Sequence, residues 1–159
     1  MAEFNGIPRG AGRRVAVVAS RFNEQITRPL VDGALEALLA HGVALDDIDV
    51  IWVPGAWELP LAARRALSSG RYDALVALGA VIRGDTPHFD FVAGEASRGL
   101  ALACVEAEIP LGFGVLTCDT MDQALARAGG VHGNKGWDAA LAALETCDVL
   151  DQMEPIDEG

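Results

Sequence analysis

No apolar run in this sequence approaches the ~18 residues needed to cross a bilayer. Hydrophobic residues nonetheless make up 51% of the chain, divided into short runs between charged residues. That pattern excludes a membrane-spanning helix and suggests a soluble chain. The opening residues, MAEFNGIPRGAGRR, lack the apolar centre of a signal peptide, so a cytoplasmic location is expected. Cysteine is scarce. Cys104, Cys118 and Cys147 are widely spaced and odd in number, which suits neither a disulfide framework nor paired zinc ligands, and they read as small apolar residues. Walker loops, dinucleotide glycine fingerprints and metal-ligand clusters are all missing, which removes the common nucleotide and zinc readings. Positive charge is also short. Twelve Lys and Arg against 23 Asp and Glu leave a net charge of −11, which repels phosphate backbones and makes nucleic acid an unsuitable partner. An anionic small molecule would need a locally cationic pocket. Internal repeats, low-complexity tracts and interdomain linkers are absent too, and 159 residues suffice for one domain with a real core.

What the chain does contain is alternation. Residues 14–20 (RVAVVAS), 48–53 (IDVIWV), 74–82 (ALVALGAVI) and 111–117 (LGFGVLT) are continuous apolar runs of the kind buried on both faces of a parallel sheet. Between and after them, 28–41, 58–69, 90–108, 121–128 and 135–150 are rich in Ala and Leu at helical spacing. Strict β-α alternation predicts a three-layer αβα sandwich of flavodoxin-like type, with a four-stranded parallel sheet and right-handed crossovers. One domain over 14–150 is expected, preceded by an extended arm at 1–13 and followed by a loose acidic tail at 151–159.

Ligands of open parallel sheets bind beyond the carboxyl ends of the strands. Those junctions are unusual here. The first carries Phe22 and Asn23, an aromatic ring that either packs beneath the next helix or faces a ligand. The second reads Pro54-Gly55-Ala56-Trp57-Glu58-Leu59-Pro60. Glu58 is either a helix-start carboxylate or an acceptor for hydroxyl groups, while Gly55 and Ala56 leave backbone open to a ligand. The third, VIRGDTPHFDFV at 81–92, places Gly84, Thr86 and a stiffening Pro87 just before a helix, where backbone amides bind anions. Arg83 there adds charge or lies in a surface ion pair. His88 stands beside this turn, and imidazole titrates near neutrality. His41 and His132 read as structural. Phe113 lies within a strand, Arg127 ends a short helix and Lys135 opens the last one, each with an ordinary packing or charge-compensating alternative.

Together, FN at 22–23, PGAWELP at 54–60, GAVIRGDTPHFDFV at 79–92, LTCDTMDQALARAG at 116–129 and GNKG at 133–136 resemble the lumazine synthase family, in order and over nearly the whole chain. The resemblance implies a transferase that condenses 5-amino-6-(D-ribitylamino)uracil with 3,4-dihydroxy-2-butanone 4-phosphate, releasing 6,7-dimethyl-8-ribityllumazine, phosphate and water in the penultimate step of riboflavin biosynthesis. No cofactor would be needed. By the same resemblance, Phe22 stacks on the pyrimidine with Asn23 beside it, Ala56, Trp57 and Glu58 line a ribityl site, and Ala80, Val81 and Ile82 meet the uracil through backbone. Asp85 and Thr86 form a phosphate turn, His88 transfers protons, and Phe113 and Arg127 arrive from a neighbouring subunit, Arg127 to bind phosphate. Lys135 is a further pocket member. Asp85 is acidic beside a phosphate, so its amide and not its side chain is expected to help, and Trp57 fills an aromatic slot with a larger ring.

The family forms pentamers with shared sites, some closing into icosahedral capsids, and riboflavin synthase is a candidate partner. The unbroken RAGGVHGNKG connection is similar to that of shell-forming members, whereas Pro8 would turn the arm and favour isolated pentamers. Both sizes stay open. The alternative from another class is a catalytically silent flavin-binding or storage protein on the same scaffold.

Overall fold

The computed structural model describes residues 1–154. Its centre is β1 (Val15–Ser20), every residue of which is buried. Burial on both faces explains the uninterrupted apolar sequence, because successive side chains point to opposite sides of a strand. Val15, Val17 and Ala19 enter one core, and Ala16 and Val18 enter the other. β2 (Ile48–Val53) and β3 (Ala74–Ile82) flank β1, and β4 (Leu111–Cys118) lies outside β3. All pairings in this sheet are parallel, with Val15 opposite both Ile48 and Ala74 and with Leu75 opposite Leu111.

The helices cover both faces. α1 (Glu24–Ala40) and α5 (Lys135–Gln152) pack on one side, with the short α4 (Met121–Arg127) near them. α2 (Leu59–Ser68) and α3 (His88–Ala107) pack on the other. Small residues set how close they come. A Cβ on Gly136 would collide with the Leu30 carbonyl of α1, and one on Gly112 with the Ala139 carbonyl of α5. The three-layer flavodoxin-like sandwich expected from the sequence is the fold observed, with strand order β2-β1-β3-β4. Since β1 lies between β2 and β3, the chain reverses direction across the sheet at β1 and β3, and a crevice opens above their carboxyl ends.

Several boundaries differ from the sequence reading. α1 begins at Glu24, not at 28, and carries Pro29 in its second turn, where the ring leaves one carbonyl of the first turn without an amide donor. α3 begins at His88, directly after Pro87, and α5 runs on to Gln152, past the expected end at 150. The acidic tail expected at 151–159 therefore starts inside the last turn of α5, and its residues 155–159 lie outside the described residues. The glycine-rich connection after α4 holds two short antiparallel strands, β5 (Ala128–Gly130) and β6 (Gly133–Asn134), and Gly129 and Gly133 adopt positive φ there. Cys118 and Cys147 are buried, and burial pushes the Cys147 thiol up to about 11, in keeping with a small apolar packing role. His41 closes α1, its Nδ1 2.8 Å from the Ala37 carbonyl oxygen.

Residues 1–14 form no helix or strand and lie along their own domain. The Gly10 amide donates to the His41 carbonyl at 2.8 Å, the Ile7 amide to Asp148 Oδ2 at 2.9 Å, and Arg13 pairs with Asp151 at 2.8 Å. Asp148 is nearly buried. Its carboxyl is held below the usual carboxylate range, chiefly by the Ile7 amide, with Arg9 and Gln152 also favouring the anion. A lowered folded pKa means that this tether is complete above the ordinary value of 3.8 and is lost as pH falls through the lower folded value. Asp148→Asn is expected to loosen the arm at neutral pH as acid does in the parent chain. Hydrogen exchange of the 1–14 segment measures both, and unchanged exchange in the Asn variant would refute the tether.

Candidate active site

Three consecutive junctions build the crevice. Beyond β1, Arg21 and Phe22 donate their amides to the Val53 and Pro54 carbonyls at 2.8 and 2.9 Å, which prolongs the β1–β2 pairing. Phe22 is thereby laid beside the second junction and stays 72% exposed, so it does not pack beneath α1. Asn23 follows in the left-handed region at φ 62, which Asn tolerates better than most residues. Its carbonyl accepts from the first turn of α1, and its side-chain amide donates to the Ala80 carbonyl at 3.0 Å. That bond bridges β1 and β3 at the reversal point.

Beyond β2, Ala56–Glu58 form one 3-10 turn before α2. Trp57 projects outward and is 60% exposed. The Glu58 carboxylate folds back over Gly55, and its Oε2 is buried with no protein hydrogen-bond partner among the described residues. A carboxylate oxygen in that condition is suited to accept hydrogen bonds from hydroxyl groups. Beyond β3 come the open turn at 84–87 and His88, the first residue of α3. The His88 amide points to Thr86 Oγ1 at a long 3.4 Å.

These junctions enclose two adjoining cavities. The first, of about 270 Å³, is lined by Phe22, Asn23, Ala56, Ala80, Val81 and Ile82, and by Gly84, Thr86, His88, Phe89 and Val92. The second, of about 620 Å³, reaches Pro54, Gly55, Trp57, Glu58 and Phe91, and shares Phe22, Ala56, His88 and Val92 with the first. Ten of the fourteen sequence-nominated residues thus line one space: Phe22, Asn23, Ala56, Trp57, Glu58, Ala80, Val81, Ile82, Thr86 and His88.

The other four do not. Asp85 is exposed and lines neither cavity. Phe113 sits on the outer strand β4 opposite Ala77, 45% exposed. Arg127 ends α4, its Nη1 donating to the Gln123 carbonyl at 2.9 Å, and Lys135 is exposed at the start of α5. The sequence reading missed Phe89, Phe91 and Val92. The signal for Phe91 and Val92 was present, since a helix starting at His88 places residues three and four positions later on the same face.

Cavities flanked by aromatic rings, an orphan carboxylate and an anion-suited turn, at the reversal point of a doubly wound sheet, define an α/β enzyme acting on small molecules. Among the described residues no helix is long and apolar enough to cross a membrane. The profile of the 6,7-dimethyl-8-ribityllumazine synthase family matches residues 12–151. A protein named 6,7-dimethyl-8-ribityllumazine synthase from Gemmatimonas aurantiaca is 66% identical over 158 residues, covering 99% of this chain and 96% of that protein. The chain belongs to the lumazine synthase family.

Proposed function

We propose that this chain condenses 5-amino-6-(D-ribitylamino)uracil with 3,4-dihydroxy-2-butanone 4-phosphate to form 6,7-dimethyl-8-ribityllumazine, as an enzyme of riboflavin biosynthesis. The observation that carries the reading is the pair of cavities joined at Phe22 and His88, with a different chemistry at each end. At one end, Gly84 and Thr86 open onto the amides that begin α3, a setting for phosphate. At the other, the unpartnered Glu58 oxygen suits the hydroxyls of a ribityl chain. Between them Phe22 presents a face for the flat pyrimidine, and the Ala80–Ile82 backbone edge offers hydrogen-bonding groups to its ring.

The reaction needs an amine to attack a ketone, water and phosphate to leave, and a second carbonyl attack to close the ring. Each step moves a proton, and His88 borders both cavities where those protons are exchanged. Holding the two reactants together supplies more of the acceleration than any one proton transfer.

Phe113 and Arg127 lie outside the cavities of their own chain and would complete a site on another copy, so the proposal includes a homo-oligomer of pentameric type. An exposed stripe on α3, formed by Phe91, Gly94, Leu102 and Val105, supports such contacts. The enzyme is placed in the cytoplasm, where its soluble substrates would be. Incubating the purified protein with both substrates and following lumazine fluorescence is the test. Product is expected without added cofactor. Riboflavin binding with no product would overturn the reading.

A further inference from the structure

Arg83 belongs to neither cavity, yet its backbone and side chain bond to elements on either side of the turn at 84–87. Its amide donates to the Cys118 carbonyl at 2.9 Å, carrying the β3–β4 pairing one residue past the end of β3 to the last residue of β4. Its Nε donates to Asp119 Oδ1 at 2.9 Å, and its Nη1 lies 3.6 Å from Asp90 Oδ1. The guanidinium carbon also stands 4.4 Å from the centre of the Phe89 ring. One planar group therefore joins the end of β3, the first turn of α3 and the corner between β4 and α4. The turn at 84–87 is closed at both ends by it.

Within the turn there is little else. The Asp90 amide bonds the Pro87 carbonyl at 3.0 Å, the His88 amide reaches Thr86 only at 3.4 Å, and Gly84 has open space around its α-carbon. The far anchor is firm by comparison. The Asp119 amide donates to Gln123 Oε1 at 2.8 Å, and Thr120 and Gln123 form a reciprocal capping box at the start of α4. An isolated surface ion pair contributes little. A guanidinium that stacks on a ring while bridging two carboxylates is a different case, since its fork is planar and loses less freedom per bond than an ammonium would.

We propose that Arg83 is a positioning residue, bracing the 84–88 turn against Asp119 so that its amides and Thr86 stay aimed at the phosphate of the substrate. This rests on the reading of that turn as a phosphate site. The rival role is direct contact, with Arg83 leaving Asp119 to grip the phosphate itself.

Steady-state kinetics on Arg83→Gln, Asp119→Ala and the double variant separate the two. Bracing predicts that each single change raises KM for the phosphorylated ketone by about 5–10-fold, because misplacement of a binding group weakens every contact it makes. The double variant is expected to be no worse than the poorer single one, since both cut the same link. KM for the pyrimidine and the melting temperature are expected to hold. Arg83→Lys should not rescue, because an ammonium neither stacks as a plane nor bridges as a fork.

Calorimetric titration of each protein with inorganic phosphate gives the same comparison without turnover. A parent protein that binds phosphate but forms no product would sink the proposed function and still leave this comparison to decide on Arg83. If Asp119→Ala leaves phosphate binding unchanged or tightens it while Arg83→Gln weakens it, Arg83 is a direct ligand and the bracing role is wrong. Equal losses for both substrates, accompanied by a lowered melting temperature, would also overturn it.

Discussion

His88→Ala is expected to lower kcat by roughly 10–100-fold, leave KM for both substrates nearly unchanged and still turn over measurably. The imidazole borders both cavities, so under the proposed function one ring would serve the proton transfers at the ketone and at the amine. General acid–base help is typically worth about 10²–10⁴-fold, and an exposed site limits the loss because water can carry some of the same protons. The surrounding contacts are untouched by the change. Under the proposed function Phe22, Glu58 and the turn at 84–88 would still hold the reactants together, and such positioning supplies the larger share of acceleration. Stopped-flow or steady-state fluorescence of product formation reads the effect. Total loss of activity in a folded variant would show that His88 does more than move protons, and an unchanged kcat would remove it from the chemistry.

How much of this site was legible in the sequence follows from what sequence carries well. The continuous apolar runs of β1 and β3 announce strands buried on both faces, and alternation with helices fixes a parallel sheet and hence where its ligands bind. Phe22, Glu58 and His88 could therefore be nominated from three separated motifs before any of them was known to be adjacent. Helix starts were less legible, because proline marks a first turn and tolerates an interior position near it. Pro29 lies inside α1 and Pro87 directly before α3, and both helices start earlier than the Ala/Leu pattern indicated. The late start assigned to α3 then hid Phe91 and Val92, which share a face with His88. Arg83 and Asp119 are 36 positions apart, and their pairing depends on β3 lying beside β4 in register, which local pattern does not reveal. The double role of Asn134 was hidden in the same way. Its Oδ1 caps α5 through the amides of Gly136 and Trp137, while its Nδ2 reaches the Pro29 carbonyl of α1 at 3.0 Å.

Arg127→Ala is expected to raise KM for the phosphorylated ketone by about 10–100-fold with kcat much less affected, the size of a lost charge-assisted contact to an anion. In its own chain Arg127 lies outside both cavities and bonds backbone at Gln123, so the loss can arise only if another copy presents it. Coexpressing His88→Ala and Arg127→Ala chains tests that dependence directly. Around a ring of heterologous contacts, random assembly in equal amounts restores about one quarter of the sites, wherever a chain with intact His88 meets one with intact Arg127. Activity at limiting ketone phosphate should then exceed that of either variant alone. Sites completed within single chains would give no such gain, because every chain in the mixture carries a defect and its activity could only average the two. A mixed assembly no better than that average would therefore refute the shared site while leaving the His88 result standing.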